Sequence, residues 1–170
     1  MVTTADTVDN SMEPIKDIGF GNRINPASPL DMGAGQVNPN NALNLGLIYD
    51  VNSTDYVRLL CATNFTEKQI QVITRSSSTD CSNPTVTNVG EGMCSYTASV
   101  TPMSGLKVNV MPDMLEFKTK YEKLSYKLTI EGPSLLDETV TCGYLDWVDS
   151  GGKHVVRSPI AVTSLSLELS

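Results

Sequence analysis

Residues 29–50, Pro29-Leu-Asp-Met-Gly-Ala-Gly-Gln-Val-Asn-Pro-Asn-Asn-Ala-Leu-Asn-Leu-Gly-Leu-Ile-Tyr-Asp50, form the stretch around which the rest of the chain is organised. Gly33-Ala34-Gly35 lets the backbone approach a neighbour closely or take a positive φ. Val37-Asn38-Pro39-Asn40 reads as a turn, because Pro39 pushes Asn38 out of the helical region. Leu45, Leu47 and Ile48 then make an apolar patch that ends at Tyr49-Asp50, where a polar segment starts. Upstream, residues 1–28 are polar and scattered with Asp6, Asp9, Asn10, Pro14, Gly19, Gly21, Asn25 and Pro26. They read as loop, with at most a frayed helical turn at the start.

Downstream the chain changes period once. Residues 53–74 read as two short helices. Thr54 or Asp55 caps the first, and Tyr56, Leu59, Leu60 and Thr63 follow helical spacing, with Asn64 as the stop. Thr66 to Gln69 has the capping-box pattern of the second, with Ile70 and Ile73 as its buried stripe. Ser76 to Pro84 is a serine-rich linker. Beyond Asn83 the apolar period is two: Cys94, Tyr96, Ala98 and Val100; Leu106, Val108 and Val110; Leu115 and Phe117; Leu124, Tyr126, Leu128 and Ile130. Residues 139–148 and 154–162 flank the turn Asp149-Ser150-Gly151-Gly152. With residues 85–89 this makes about seven strands, the spacing of a β-sandwich. Pro102, Pro112, Pro133 and Pro159 fall at strand ends or edges, where a missing N–H does no harm.

The 170 residues suffice for one ordinary domain, or a small one with part of another. A net charge of −7 argues against nucleic acid as a partner, which calls for a basic face. No apolar run reaches membrane-spanning length, and the first residues carry no signal-peptide pattern. Asn52-Ser53-Thr54 and Asn64-Phe65-Thr66 are glycosylation sequons, so Asn52 and Asn64 are candidate modification sites. Cys61, Cys81, Cys94 and Cys142 lack the close paired spacing of a zinc site, and no metal or cofactor is expected.

The stretch at 29–50 resembles the segment that follows the catalytic-serine helix in plant subtilisin-like serine proteases, the cucumisin-like subtilases. Asp31, Gly33, Ala34, Gly35, Val37, Asn38, Pro39, Ala42, Gly46, Leu47, Ile48, Tyr49 and Asp50 all fit that signature. Met1-Val2-Thr3-Thr4-Ala5 resembles the end of a helix upstream of it. Thr85 to Gly90, Tyr96-Thr97-Ala98, Val110 to Phe117, Trp147 and His154 to Ile160 look like the family's C-terminal fibronectin type III-like domain. The resemblance implies an α+β piece followed by an all-β one. Residues 1–82 would be the incomplete tail of a subtilisin-like peptidase domain. Residues 83–170 would be a fibronectin type III-like sandwich. It also implies a disulfide between Cys61 and Cys81, and an extracellular site of action in the apoplast or cell wall. One departure stands out: the family's first sandwich strand is missing between Asn83-Pro84 and Thr85. An unpaired edge, with reduced stability or aggregation, is the expected consequence.

The family is a serine-type endopeptidase that hydrolyses polypeptide substrates, and its nucleophile, base and orienting carboxylate lie in motifs absent from this sequence. The nucleophile motif is expected just before Met1. His154, the sole histidine, is read as a packing or exposed residue of the sandwich. Asp146 and Ser158 lie close in sequence but cannot converge with it from alternating strand faces. Gly33-Ala34-Gly35 lacks the context of a phosphate loop. Asp137 and Glu138 read as a solvated loop. Cys94 and Cys142 fall on opposite faces of the sandwich and are expected to stay free thiols. The leading reading is a C-terminal fragment of a subtilase, without the triad and inactive by itself. The alternative is a non-catalytic interaction module that packs on a subtilase catalytic domain through Leu45, Leu47, Ile48, Leu59 and Leu60, with the loops 101–105 and 149–153 as further contact surfaces. A truncated product with no independent role is a third reading.

Overall fold

The computed structural model describes residues 1–19, 24–49, 51–63, 65–77, 79–81, 85–133 and 140–163. Asp50, Asn64, Pro84, Asp137 and Glu138, singled out above, lie outside the described residues. The chain divides into an arm (residues 1–49), a helical hairpin and a β-sandwich.

The sandwich forms because period-two segments bury one face. β10 (Val140–Asp149) alternates along its length, placing Thr141, Gly143, Leu145 and Trp147 inward. It pairs antiparallel with β11 (Val155–Thr163) across the Asp149–Gly152 turn. Its other edge takes β5 (Cys94–Val100), and β5 takes β7 (Met114–Phe117), giving a sheet in the order β11-β10-β5-β7. Facing it are β4 (Thr85–Asn88) paired with β8 (Lys123–Ser125), and β6 (Lys107–Met111) paired with β9 (Lys127–Glu131). Trp147, wholly buried, packs edge-on against Tyr126 at 5.3 Å between ring centres, and Tyr96 does the same with Phe117 at 6.1 Å. Val86, Leu115, Leu145 and Val156 complete the centre of the core.

One expected strand divides. The alternation from Leu124 to Ile130 is broken at Tyr126, so β8 joins β4 while β9 joins β6. Tyr126 stays buried at the break and turns its hydroxyl towards Tyr49.

The arm holds more structure than its polarity suggests. A 3₁₀ turn at Val2–Thr4 precedes a short hairpin of β1 (Lys16–Ile18) and β2 (Ile24–Pro26). Single-turn helices follow at α1 (Pro29–Met32) and α2 (Pro39–Ala42), each with proline in its first turn and a side-chain cap, Ser28 and Asn38. The arm ends in β3 (Leu47–Ile48), which pairs antiparallel with β4: Leu47 opposite Asn88, Ile48 opposite Thr87. This corrects the expected unpaired edge. The edge that β4 would have offered to solvent is taken by β3, because Leu47 gains a fully buried position there.

In the helical hairpin, α3 (Ser53–Ala62) is capped by Asn52 rather than by Thr54 or Asp55. The Asn52 Oδ1 accepts from the Thr54 amide, and Asp55 accepts in return from the Asn52 amide. In α4 (Glu67–Thr74) the Thr66–Gln69 capping box forms and Ile70 is buried, but Ile73 is 54% exposed. Tyr56 and Leu59 are exposed as well, so helical spacing here marks a face that nothing described in the chain covers.

Candidate functional site at the seam between arm and sandwich

Arm and sandwich meet at three groups of residues on or beside β10 and β11, two of them with polar contacts across the seam and one by packing. In the first, the Arg157 guanidinium donates to both carboxylate oxygens of Asp146 at 2.8 Å, and to Thr7 Oγ1 of the arm at 3.1 Å. It also lies over the Tyr144 ring at 5.0 Å. Asp146 holds the Arg157 pKa above its ordinary value. Thr7 is itself placed by Asp6, whose amide and carbonyl pair with Gln36 at 2.8 Å each, while Asn38 Nδ2 donates to the Asp6 carboxylate at 2.9 Å. Gly35 makes that approach possible, since a Cβ there would collide with the Asp6 carbonyl.

In the second, the Asp149 carboxylate accepts from the amides of Lys153 and His154, and lies 2.9 Å from His154 Nδ1. Burial pulls the Asp149 pKa up, but the His154 and Lys153 donors outweigh it and leave the carboxyl below its ordinary value. His154 Nε2 is buried without a hydrogen-bond partner among the described residues. The imidazole packs against Gly46 of the arm.

In the third, Tyr49 of the arm reaches between the sheets. Its hydroxyl lies 2.9 Å from the Tyr126 hydroxyl and takes a hydrogen bond from Ser158 Oγ at 3.1 Å. Beside it a cavity of about 440 Å³ is lined by Val2, Leu45, Ile48, Tyr49, Val51 and Pro159 among others.

These partners also answer the question of a local triad. His154 is held by Asp149, Asp146 by Arg157 and Ser158 by Tyr49, so His154, Asp146 and Ser158 point to three different places. Nothing in the geometry of the described residues gives a serine an adjacent base. Cys94 and Cys142 are free thiols, and burial raises the pKa of each, the opposite of a reactive cysteine. No group of residues fit to hold a metal ion occurs among the described residues. No helix among them is long and apolar enough to cross a membrane.

Cys61 and Cys81 are joined by a disulfide that ties α3 to the segment after α4. Arg58 reinforces the tie by bridging Asp55 at 2.6 Å and Asp80 at 2.9 Å. The Asn52 amide lowers the Asp55 pKa first, with Arg58 adding to the effect. The Asn52 side chain is exposed at the start of this hairpin. Leu47, expected on a free apolar surface, is instead wholly buried in the seam, whereas Leu59 is exposed. Arg157, Thr7, Tyr126 and Gly46 carry the seam but were not singled out for it by sequence. Their partners lie across long separations that no local pattern marks.

The fold and this seam define a fibronectin type III-like sandwich locked to an N-terminal arm. A family model described as a fibronectin type-III domain matches residues 65–162. Subtilisin-like protease SBT3 of Solanum lycopersicum is 42% identical over 198 aligned positions, covering 99% of this chain and 26% of the relative. Subtilisin-like protease SBT3.11 of Arabidopsis thaliana is 34% identical, covering 98% of this chain and 25% of the relative. Subtilisin-like protease SBT1.6, also of Arabidopsis thaliana, is 34% identical over 97% of this chain. The chain belongs to the plant subtilisin-like protease family, of which it is a C-terminal portion. It spans about a quarter of the length of the curated relatives it matches.

Proposed function

We propose that this chain is a non-catalytic part of a subtilisin-like serine endopeptidase, and that it seats the sandwich on the catalytic domain, whose substrates are polypeptides. One observation carries this reading. Among the described residues, fourteen of the twenty exposed large hydrophobics lie in residues 1–82, from Met1 and Leu30 to Val72 and Ile73, whereas ten of the twelve buried core hydrophobics lie beyond residue 83. The sandwich has closed its core, while residues 1–82 present apolar side chains that no described residue covers. That imbalance fits the tail of a larger domain, with residues 1–82 as the peptidase tail and residues 83–170 as the sandwich.

The chain by itself supplies binding but no turnover, since Nε2 of its single histidine is buried with no hydroxyl or thiol within hydrogen-bond reach among the described residues. Extracellular residence fits the Cys61–Cys81 bridge, as structural disulfides persist in oxidising compartments. Glycosylation at Asn52 is sterically open, because Oδ1 makes the helix cap and the side chain is exposed. Asn64 is the second proposed acceptor.

A fluorophosphonate probe, which reacts only with an activated serine, tests the catalytic half of this reading. The folded chain is expected to stay unlabelled beside a denatured control. Stoichiometric labelling of the folded chain alone would overturn it. For the seating half, the remaining three-quarters of the tomato protease is refolded with and without this chain. A one-to-one complex in light scattering is expected. Two species that elute separately would count against it.

A further inference from the structure

Residues Gly46 to Tyr49 lie on the sandwich as a bound peptide would. We propose that the sandwich carries a peptide-binding site that reads an extended glycine–leucine–any residue–tyrosine segment, filled in this chain by its own arm. The proposal rests on the seating of tail on sandwich described above, and it names the surface and the residues that are read.

Each position of the segment meets a separate feature of the sandwich. The Gly46 carbonyl accepts from two successive amides, Val89 at 2.8 Å and Gly90 at 3.0 Å. Gly46 itself has φ +69°, and a Cβ there would come within 2.5 Å of the Tyr96 hydroxyl and 3.2 Å of the His154 side chain. The site therefore favours glycine over any residue with a side chain. Leu47, opposite Asn88, is fully buried among the core residues of the sandwich. Ile48 lines the outer cavity and is the position left unread. Tyr49 is read by its hydroxyl, through Tyr126 and Ser158, and by the edge-on contact of its ring with Tyr126 at 6.4 Å.

On either side of these residues the burial falls away. Leu43 before them is 89% exposed and Val51 after them 63% exposed. Register from β4, a backbone clamp on a glycine and two side-chain pockets at alternate positions are the components of recognition by strand addition. Thr87 and Asn88 of β4 supply the register, paired with Ile48 and Leu47.

The test uses the full chain with Leu47→Asp, which expels its own segment, and a fluorescent peptide Asn-Leu-Gly-Leu-Ile-Tyr-Asp-Val (residues 44–51). The expected result is saturable one-to-one binding that raises the melting temperature of the variant. Replacing the peptide tyrosine by phenylalanine should weaken binding about five- to tenfold, the value of one or two neutral hydrogen bonds. Replacing its glycine by alanine should weaken it on the order of tenfold or more. The unaltered chain, whose site is occupied in cis, should bind the peptide far more weakly. No binding to a cooperatively melting Leu47→Asp chain, or equal binding to the unaltered chain, overturns the proposal. Should Leu47→Asp not melt cooperatively, hydrogen exchange of the full chain carrying Tyr49→Phe decides between the outcomes. Faster exchange confined to residues 87–90 supports a separable site. No change there, or an equal rise throughout β10 and β11, overturns it. Failure here would leave the seating on the protease standing, since that uses the outward apolar face. Failure of that seating with peptide bound would leave this site standing.

Discussion

At the residue scale, Gly46 decides how closely the arm can approach the sandwich. Its positive φ and its contact with Tyr96 and His154 leave no room for a methyl group. Gly46→Ala should lower stability by about 1–3 kcal/mol, read from urea denaturation with an unchanged m-value. Asp149 sets the acid limit of the same seam. Its folded pKa lies below the ordinary 3.8, so its contribution is complete above that value and is lost as pH falls through the folded one. The melting temperature of the unaltered chain should therefore drop more steeply below about pH 4 than that of Asp149→Asn. Parallel acid limbs for the two proteins would contradict the assignment. Neither role is legible from sequence. Gly46 sits in a recognisable motif, but its reason lies in Tyr96 and His154, distant in the chain. Asp149 reads only as a turn residue until β10 and β11 are paired.

At the scale of elements, the helical hairpin and the sandwich answer to different forces. The hairpin buries Ile70 and little else, and relies on capping boxes, Arg58 and the Cys61–Cys81 bridge. With a sequence separation of 20, that bridge contributes roughly 3 kcal/mol in the chain-entropy description. Replacing both cysteines by serine should expose residues 63–81 to limited proteolysis while the near-ultraviolet circular dichroism from the buried Trp147 stays unchanged. Loss of that signal together with the hairpin would show that the two are one cooperative unit. The strands were legible because a buried sheet face imposes period two, which Tyr96, Leu145 and Trp147 obey. Helical spacing located α3 and α4 equally well, yet misjudged Ile73. Periodicity reports which residues share a face, and says nothing of whether a partner covers that face. The pairing of β3 with β4 was hidden for a related reason. A strand as short as Leu47–Ile48 carries no period of its own.

At the scale of the whole molecule, a closed sandwich is fused to a tail with its apolar side chains turned outward. The family was legible in the arm and strand motifs, and the sequence comparisons bear it out over nearly the whole chain. The seam was not, since Arg157 meets Thr7 and Tyr49 meets Tyr126 only after the sheets have formed. On the proposed reading, the outward face of residues 1–82 is the surface that seats on the protease. Hydrogen exchange of the free chain, compared with the chain refolded with the rest of the tomato protease, tests it most directly. The predicted footprint is slowed exchange around α1, α2 and the α3–α4 hairpin, with residues 101–105 and 149–153 unchanged. Protection at those two sandwich loops, with the tail exchanging as it does alone, would contradict that claim.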